Sequence, residues 1–299
     1  MTLYFAKHET FQPRHGWFKK CFDAIICKPN FFQTADAHVK LGVGKNMLKA
    51  IYFWGQAFKI VNKKDSASNL YATKLGRFLF SENGLDKYLE DTATLWLLHY
   101  FLLKKPTIAT AWHFAFHEFF YREFSGDDLL IGLSNYAAKI QNKTAVSSLI
   151  KDVNCILRMY TENIKYYRNL EDILLSPFNE LQLIKKIGNS NKYIFNTNYK
   201  RHLPPEIITA VCLDYVSSQE TRTNTISLPK LTHEKGSPGM AFKINEKIIE
   251  EAIEETSAKH KAVKMASSAG IAHLAYEGEP SLIFNDLLRA YYNKKPAVV

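Results

Sequence analysis

Twelve residues, Thr92 to Leu103, run without a charge, and Lys104, Lys105 and Pro106 close the stretch. A membrane span needs about 20 apolar residues, so this run is too short to cross a bilayer. Leu95, Trp96, Leu97, Leu98, Tyr100 and Phe101 leave no polar stripe around a helix. Such a helix has to be enclosed by protein on several sides. A chain of 299 residues that is 46% hydrophobic can supply that enclosure, in two or three modules. Its 13% aromatic and 23% charged content also excludes a disordered chain.

The chain carries 39 Lys and Arg against 29 Asp and Glu, a formal net charge of +10. Residues 1–80 alone account for +9 of it. A basic module, unlike a uniformly basic protein, points to a polyanionic partner, and nucleic acid is the commonest. The opening segment, Met1 to Glu9, lacks a basic start followed by an apolar stretch, so a signal peptide is not expected. Cys21, Cys27, Cys155 and Cys212 are widely separated, with no C-x-x-C. They read as reduced, core-filling thiols of a cytoplasmic protein with no membrane association.

The expected fold is mainly α with small β hairpins (α+β): a basic winged-helix module over residues 1–85, a helical body over 86–224 and a C-terminal hairpin-plus-helix module over 225–299. In the first module, residues 34–41 predict a short helix, Gly42-Val43-Gly44 a tight turn, and Lys45 to Phe58 a second helix. Met47, Ile51, Trp54 and Phe58 form one apolar stripe, with Lys45, Lys49, Tyr52 and Gln56 nearly opposite and Asn46 beside them. A polar turn over residues 62–69 and a strand from Leu70 complete the helix-turn-helix and wing pattern. Lys45, Asn46, Lys49 and Gln56 are expected to face DNA, with Lys63 and Lys64 in the wing on phosphates. Arg14, Lys40 and Arg77 are further basic candidates for DNA contact. Later, Pro204-Pro205 predicts a helix start, Thr225 to Ile244 hairpins or a joint, and Asn245 an N-cap for an acidic helix from Glu246.

Known chemical motifs are mostly absent. Gly42-Val43-Gly44-Lys45-Asn46 has Val39 where the Walker loop needs its first glycine and Asn46 where it needs Ser or Thr, which excludes nucleotide hydrolysis there. His113 and His117 stand one helical turn apart, but Tyr121 takes the place of a zincin's second histidine, so a packed pair is the simpler reading. No Glu-x-Lys or Asp-x-Lys occurs, and Lys45 stands where an H-x-K nuclease starting at His38 would need Asp. Four residues remain as catalytic candidates. His8 and Glu9 lie in a cluster with Arg14, His15 and Trp17, where a Glu beside a His offers a general base or metal ligand. Packing, with Glu9 paired to Arg14, is the alternative. Asp127 and Asp128 could bind Mg2+ through carboxylates, or cap a helix after Ser125-Gly126.

The strings FAKHETFQPRHGW (Phe5 to Trp17) and LGVGKNMLKAIYFW (Leu41 to Trp54) resemble a bacterial domain-of-unknown-function family, number four-thousand-seven. Ser147-Ser148, Asp152, Arg158-Met159-Tyr160, Leu203 to Ile207 and Gly236 to Gly239 support the resemblance, which covers nearly the whole chain. Members resemble components of DNA phosphorothioation loci, which replace a non-bridging backbone oxygen by sulfur. They occur beside proteins resembling phosphoadenosine-phosphosulfate reductases. In the single-strand version, called Ssp, the corresponding member is the B component, regarded as a DNA-nicking protein. The resemblance thus implies DNA modification or defence and a reductase-like sulfur-transfer partner. If one strand is cut, backbone hydrolysis needs metal-bound water and carboxylates, and Mg2+ is the expected cofactor. A winged-helix regulator or scaffold that does not cut DNA is the other expectation.

Overall fold

The computed structural model describes residues 3–63, 69–140, 144–161, 176–198, 200, 202–219 and 223–293. The chain forms two compact units, residues 1–196 and 197–299.

The first unit contains α1 (Trp17–Cys27), α2 (Ala37–Leu41), α3 (Lys45–Ala57), β1 (Val61–Lys63), β2 (Leu70–Ala72) and α4 (Lys74–Phe80). It continues through α5 (Thr92–Leu103), α6 (Thr110–His117), β3 (Glu123–Ser125), α7 (Gly126–Lys139), α8 (Val146–Tyr160), β4 (Ile184–Lys186) and β5 (Lys192–Phe195). Gly42 ends α2 at φ +66°, a left-handed value that a residue without Cβ adopts at little cost. The turn closes with Val43 N–H on the His38 carbonyl, as a glycine C-cap does. β1 and β2 pair antiparallel, Val61 opposite Ala72, and β5 lies between β3 and β4 in an antiparallel sheet.

Burial explains why this unit extends to residue 196. Every residue of α5 from Ala93 to Leu103 is buried, as its all-round apolar sequence requires. Trp54 meets Trp112 edge-on with centroids 5.1 Å apart, and Phe58 stacks on Phe178 at 4.9 Å. The Lys59 ammonium donates to the carbonyls of Phe101, Lys104 and Pro106. These contacts cross the boundary expected after residue 85, so the aromatic residues of the basic segment share one core with α5, α6 and α8.

The second unit contains α9 (Pro205–Ser217), β6 (Thr225–Ser227), α10 (Leu228–His233), α11 (Pro238–Phe242), α12 (Glu246–Ser257), β7 (Val263–Ser268), β8 (Ile271–Tyr276) and α13 (Pro280–Asn293). Nearly all of α9 is buried, and it packs against α12 and α13, which ties it to this unit despite the boundary expected near residue 224. Asn245 caps α12 by accepting Ile248 N–H at 3.1 Å, as its sequence position predicts. Residues 225–244, where hairpins or a joint were expected, form one short strand and two short helices. Pro229 and Pro238 stand in the first turns of α10 and α11, where the missing N–H costs no helical bond. The hairpin lies further on, where β7 and β8 turn through Ala269 and Gly270, both at positive φ. No helix among the described residues is long and apolar enough to cross a membrane.

Candidate nucleic-acid interface

The segment before α1 folds into a tight knuckle. Ala6, Glu9 and Thr10 all take positive φ, which non-glycine residues adopt rarely and only where their surroundings hold them. Asp152 of α8 holds Ala6. Its carboxylate accepts Ala6 N–H at 3.0 and 3.1 Å and lies 2.7 Å from His8 Nε2. Burial raises the Asp152 carboxyl above the usual carboxylate range, against the lowering pull of His8 and the Ala6 amide. Arg158 Nη2 donates to the Thr10 carbonyl at 2.7 Å, and Trp54 Nε1 donates to the Phe11 carbonyl at 3.0 Å. The three segments around His8, Trp54 and Asp152 therefore meet at one node.

Of the four catalytic candidates, His8 lies in this node. His8 is fully buried, stacked on Trp54 and edge-on to Trp112, with Nδ1 left without a partner. It holds Asp152 inside the core, where a substrate would not reach it. Glu9 is half-exposed, and its carboxylate lies 3.5 Å from the Lys49 ammonium rather than on Arg14. Asp128 forms a capping box with Ser125 at the start of α7, which draws its carboxyl below the usual range through the Ser125 N–H first and the hydroxyl second. Asp127 is exposed beside it. His113 and His117 are both buried, and His113 Nδ1 lies 2.9 Å from the Leu103 carbonyl, so this pair is core packing.

The basic candidates divide by burial. Lys45, Asn46 and Lys49 are exposed on the N-terminal half of α3. The C-terminal half is submerged, with Ile51, Phe53, Trp54, Gly55 and Ala57 buried. There Gln56 is half-buried and donates its amide to the Tyr52 carbonyl. Lys63 on β1 lies 5.9 Å from the Tyr52 ring and extends the exposed α3 stripe. Lys64 falls outside the described residues. Arg14 stacks over Phe11 and Trp17, Lys40 pairs with Asp36 at 2.9 Å, and Arg77 is exposed on α4.

An open pocket of about 390 Å³ adjoins the knuckle, lined by Thr10, Lys151, Asn154, Leu157, Arg158, Thr161 and Tyr193. Lys151, Asn154 and Arg158 follow one another at helical spacing on the exposed face of α8. Lys151, Asn154 and Tyr193 carried no recognisable signal in the sequence, because only the fold brings α8, β5 and the knuckle together.

Residues 5–292 match the model of a protein family of unknown function, DUF4007. Two solved structures resemble the chain. One, a magnesium ion-bound crystal structure of SspB, is 35% identical with a TM-score of 0.90. The other, a crystal structure of SspB, is 34% identical with a TM-score of 0.89. Each alignment covers 98% of this chain and 90% of the other. No curated protein matches the chain. Among the described residues of this chain, no three His, Cys, Asp or Glu side chains gather so as to hold a metal ion. The carboxylates proposed for magnesium, Glu9, Asp127 and Asp128, do not by themselves make such a set.

Proposed function

Because the chain belongs to the DUF4007 family, we propose that it is the DNA-binding component of a bacterial DNA phosphorothioation modification and defence system. Its likeness to SspB supports the system, and the exposed stripe of Lys45, Asn46, Lys49 and Lys63 supports the DNA contact. In this reading α2, α3 and the β1–β2 hairpin act as a winged helix whose first α3 turns approach the duplex. Lysines there neutralise phosphates and release counterions, so binding weakens steeply with salt. Lys45→Ala and Lys49→Ala should each lower affinity and reduce the slope of log K against log salt by about 0.9. Unchanged binding across several salt concentrations would remove α3 from the interface.

Two readings of the chemistry follow. A metal-dependent single-strand nickase is the activity that the resemblance to the B component implies. A scaffold that brings a reductase-like sulfur-transfer protein to DNA without cutting it is favoured by one observation: His8 and Asp128 already have structural roles, and Glu9 pairs with a lysine. Supercoiled plasmid incubated with the purified protein and Mg2+, Mn2+ or a chelator separates them. Metal-dependent conversion to the open circle, lost in Glu9→Ala or Asp127→Ala, supports the nickase and those residues. Plasmid that stays supercoiled supports the scaffold.

A further inference from the structure

The pocket beside the knuckle is lined by groups that can donate hydrogen bonds to an anion. Thr10 and Tyr193 bring hydroxyls, Asn154 an amide, Lys151 an ammonium and Arg158 a guanidinium. No Asp or Glu is among the described residues that line it. The Arg158 guanidinium is anchored by carbonyl oxygens, those of Thr10 at 2.7 Å and Asn154 at 3.3 Å, so it is oriented, and no carboxylate among the described residues pairs with it there. A fixed guanidinium beside an ammonium suits the tetrahedral oxygens of phosphate. At about 390 Å³ the pocket has room for a phosphate with its attached sugar.

Its position ties it to α3. Thr10 follows Glu9, whose carboxylate faces Lys49, and the Thr10 carbonyl is held by Arg158. The exposed lysines of α3, the knuckle and the basic face of α8 are therefore contiguous. We propose that this pocket is a phosphate-binding subsite, and that it takes a backbone phosphate of the DNA held by α3. The DNA source rests on the function proposed above; the phosphate chemistry rests on the pocket alone. In this arrangement the knuckle joins two phosphate contacts on different elements, and its bonds to Asp152 and Arg158 fix their spacing.

Lys151 and Asn154 test the subsite best, because both are exposed and neither anchors the knuckle. Labelled single-stranded and duplex DNA would be titrated with the intact protein across a salt series by fluorescence anisotropy. Lys151→Ala should weaken binding about fivefold and lower the salt slope by about 0.9, with Lys151→Arg restoring both. Calorimetric titration with inorganic pyrophosphate reads the pocket independently of DNA, and Lys151→Ala and Asn154→Ala should weaken it. If Lys45→Ala and Lys49→Ala impair DNA binding while Lys151→Ala changes neither DNA nor pyrophosphate binding, the subsite is overturned and the α3 reading stands. If the intact chain fails to bind DNA yet binds pyrophosphate through Lys151, the pocket serves a free phosphate compound and the backbone source is overturned. If neither ligand binds, both proposals fail.

Discussion

His8 and Asp152 lie 144 positions apart in sequence, and their 2.7 Å contact is sealed beneath two tryptophans. A buried carboxylate with two partners is costly to disrupt, because removing one group strands the others without water. Asp152→Ala leaves the Ala6 N–H and the His8 ring without their partner and releases Ala6, which is held at positive φ. A loss of about 3–5 kcal/mol is expected from equilibrium denaturation, with the midpoint lowered. The Ser125–Asp128 capping box supports a second residue-scale expectation. Ser125→Ala should cost about 1 kcal/mol by removing the side-chain acceptor for the Asp128 N–H. Asp128 gives this cap a pH dependence, since its folded carboxyl titrates below the usual value near 3.9. Its contribution is complete above that value and is lost as pH falls through it toward the lowered one. In Asp128→Asn this acid-side loss should be absent, which comparison of denaturation midpoints between pH 6 and pH 3 would show.

At the scale of elements, α3 is a helix with two environments along its length. Its first turns meet solvent and carry Lys45, Asn46 and Lys49, while its last turns lie in the aromatic core. Periodicity gave the correct buried line through Ile51, Trp54 and Phe58 but not the depth to which the helix sinks, because depth depends on neighbours distant in sequence. Gln56, expected to face DNA, sits at an intermediate depth with its amide on the Tyr52 carbonyl. At Gly55 α3 lies close against α1, and an added Cβ would overlap Cys21 Sγ and crowd Val61 Cγ2 at 3.2 Å. Gly55→Ala should therefore destabilise the first unit by about 1–3 kcal/mol through overpacking. Gly55→Ala combined with Cys21→Ala should recover part of that loss, which thermal unfolding of the single and double variants would reveal.

For the molecule as a whole, the charge and the thiols separate surface from interior. Residues 1–80 carry +9 while residues 197–299 sum to +1, so the excess belongs to the first unit. Of the four cysteines, only Cys27 is exposed. Burial pushes the Cys21 thiol up to about 12 and raises Cys155 and Cys212 as well. Thiolate is the reactive form, so a thiol reagent at pH 8 should titrate one cysteine in the native protein and all four after unfolding. Fast reaction of more than one native thiol would contradict this packing.

The local elements were legible in the amino-acid order alone: the glycine turn between α2 and α3, the hairpin after them, the enclosed α5, and the cap that Asn245 places before an acidic helix. The placement of charge was legible too, since composition along a chain does not depend on folding. These features rest on interactions among residues a few positions apart, or on the polarity of one segment. Folding in three dimensions was needed to set where the first unit ends, to make His8 a core residue, and to bring Lys151, Arg158 and Tyr193 into a pocket with Thr10. Those outcomes depend on side chains more than a hundred positions apart excluding water from one another, and no local pattern encodes that.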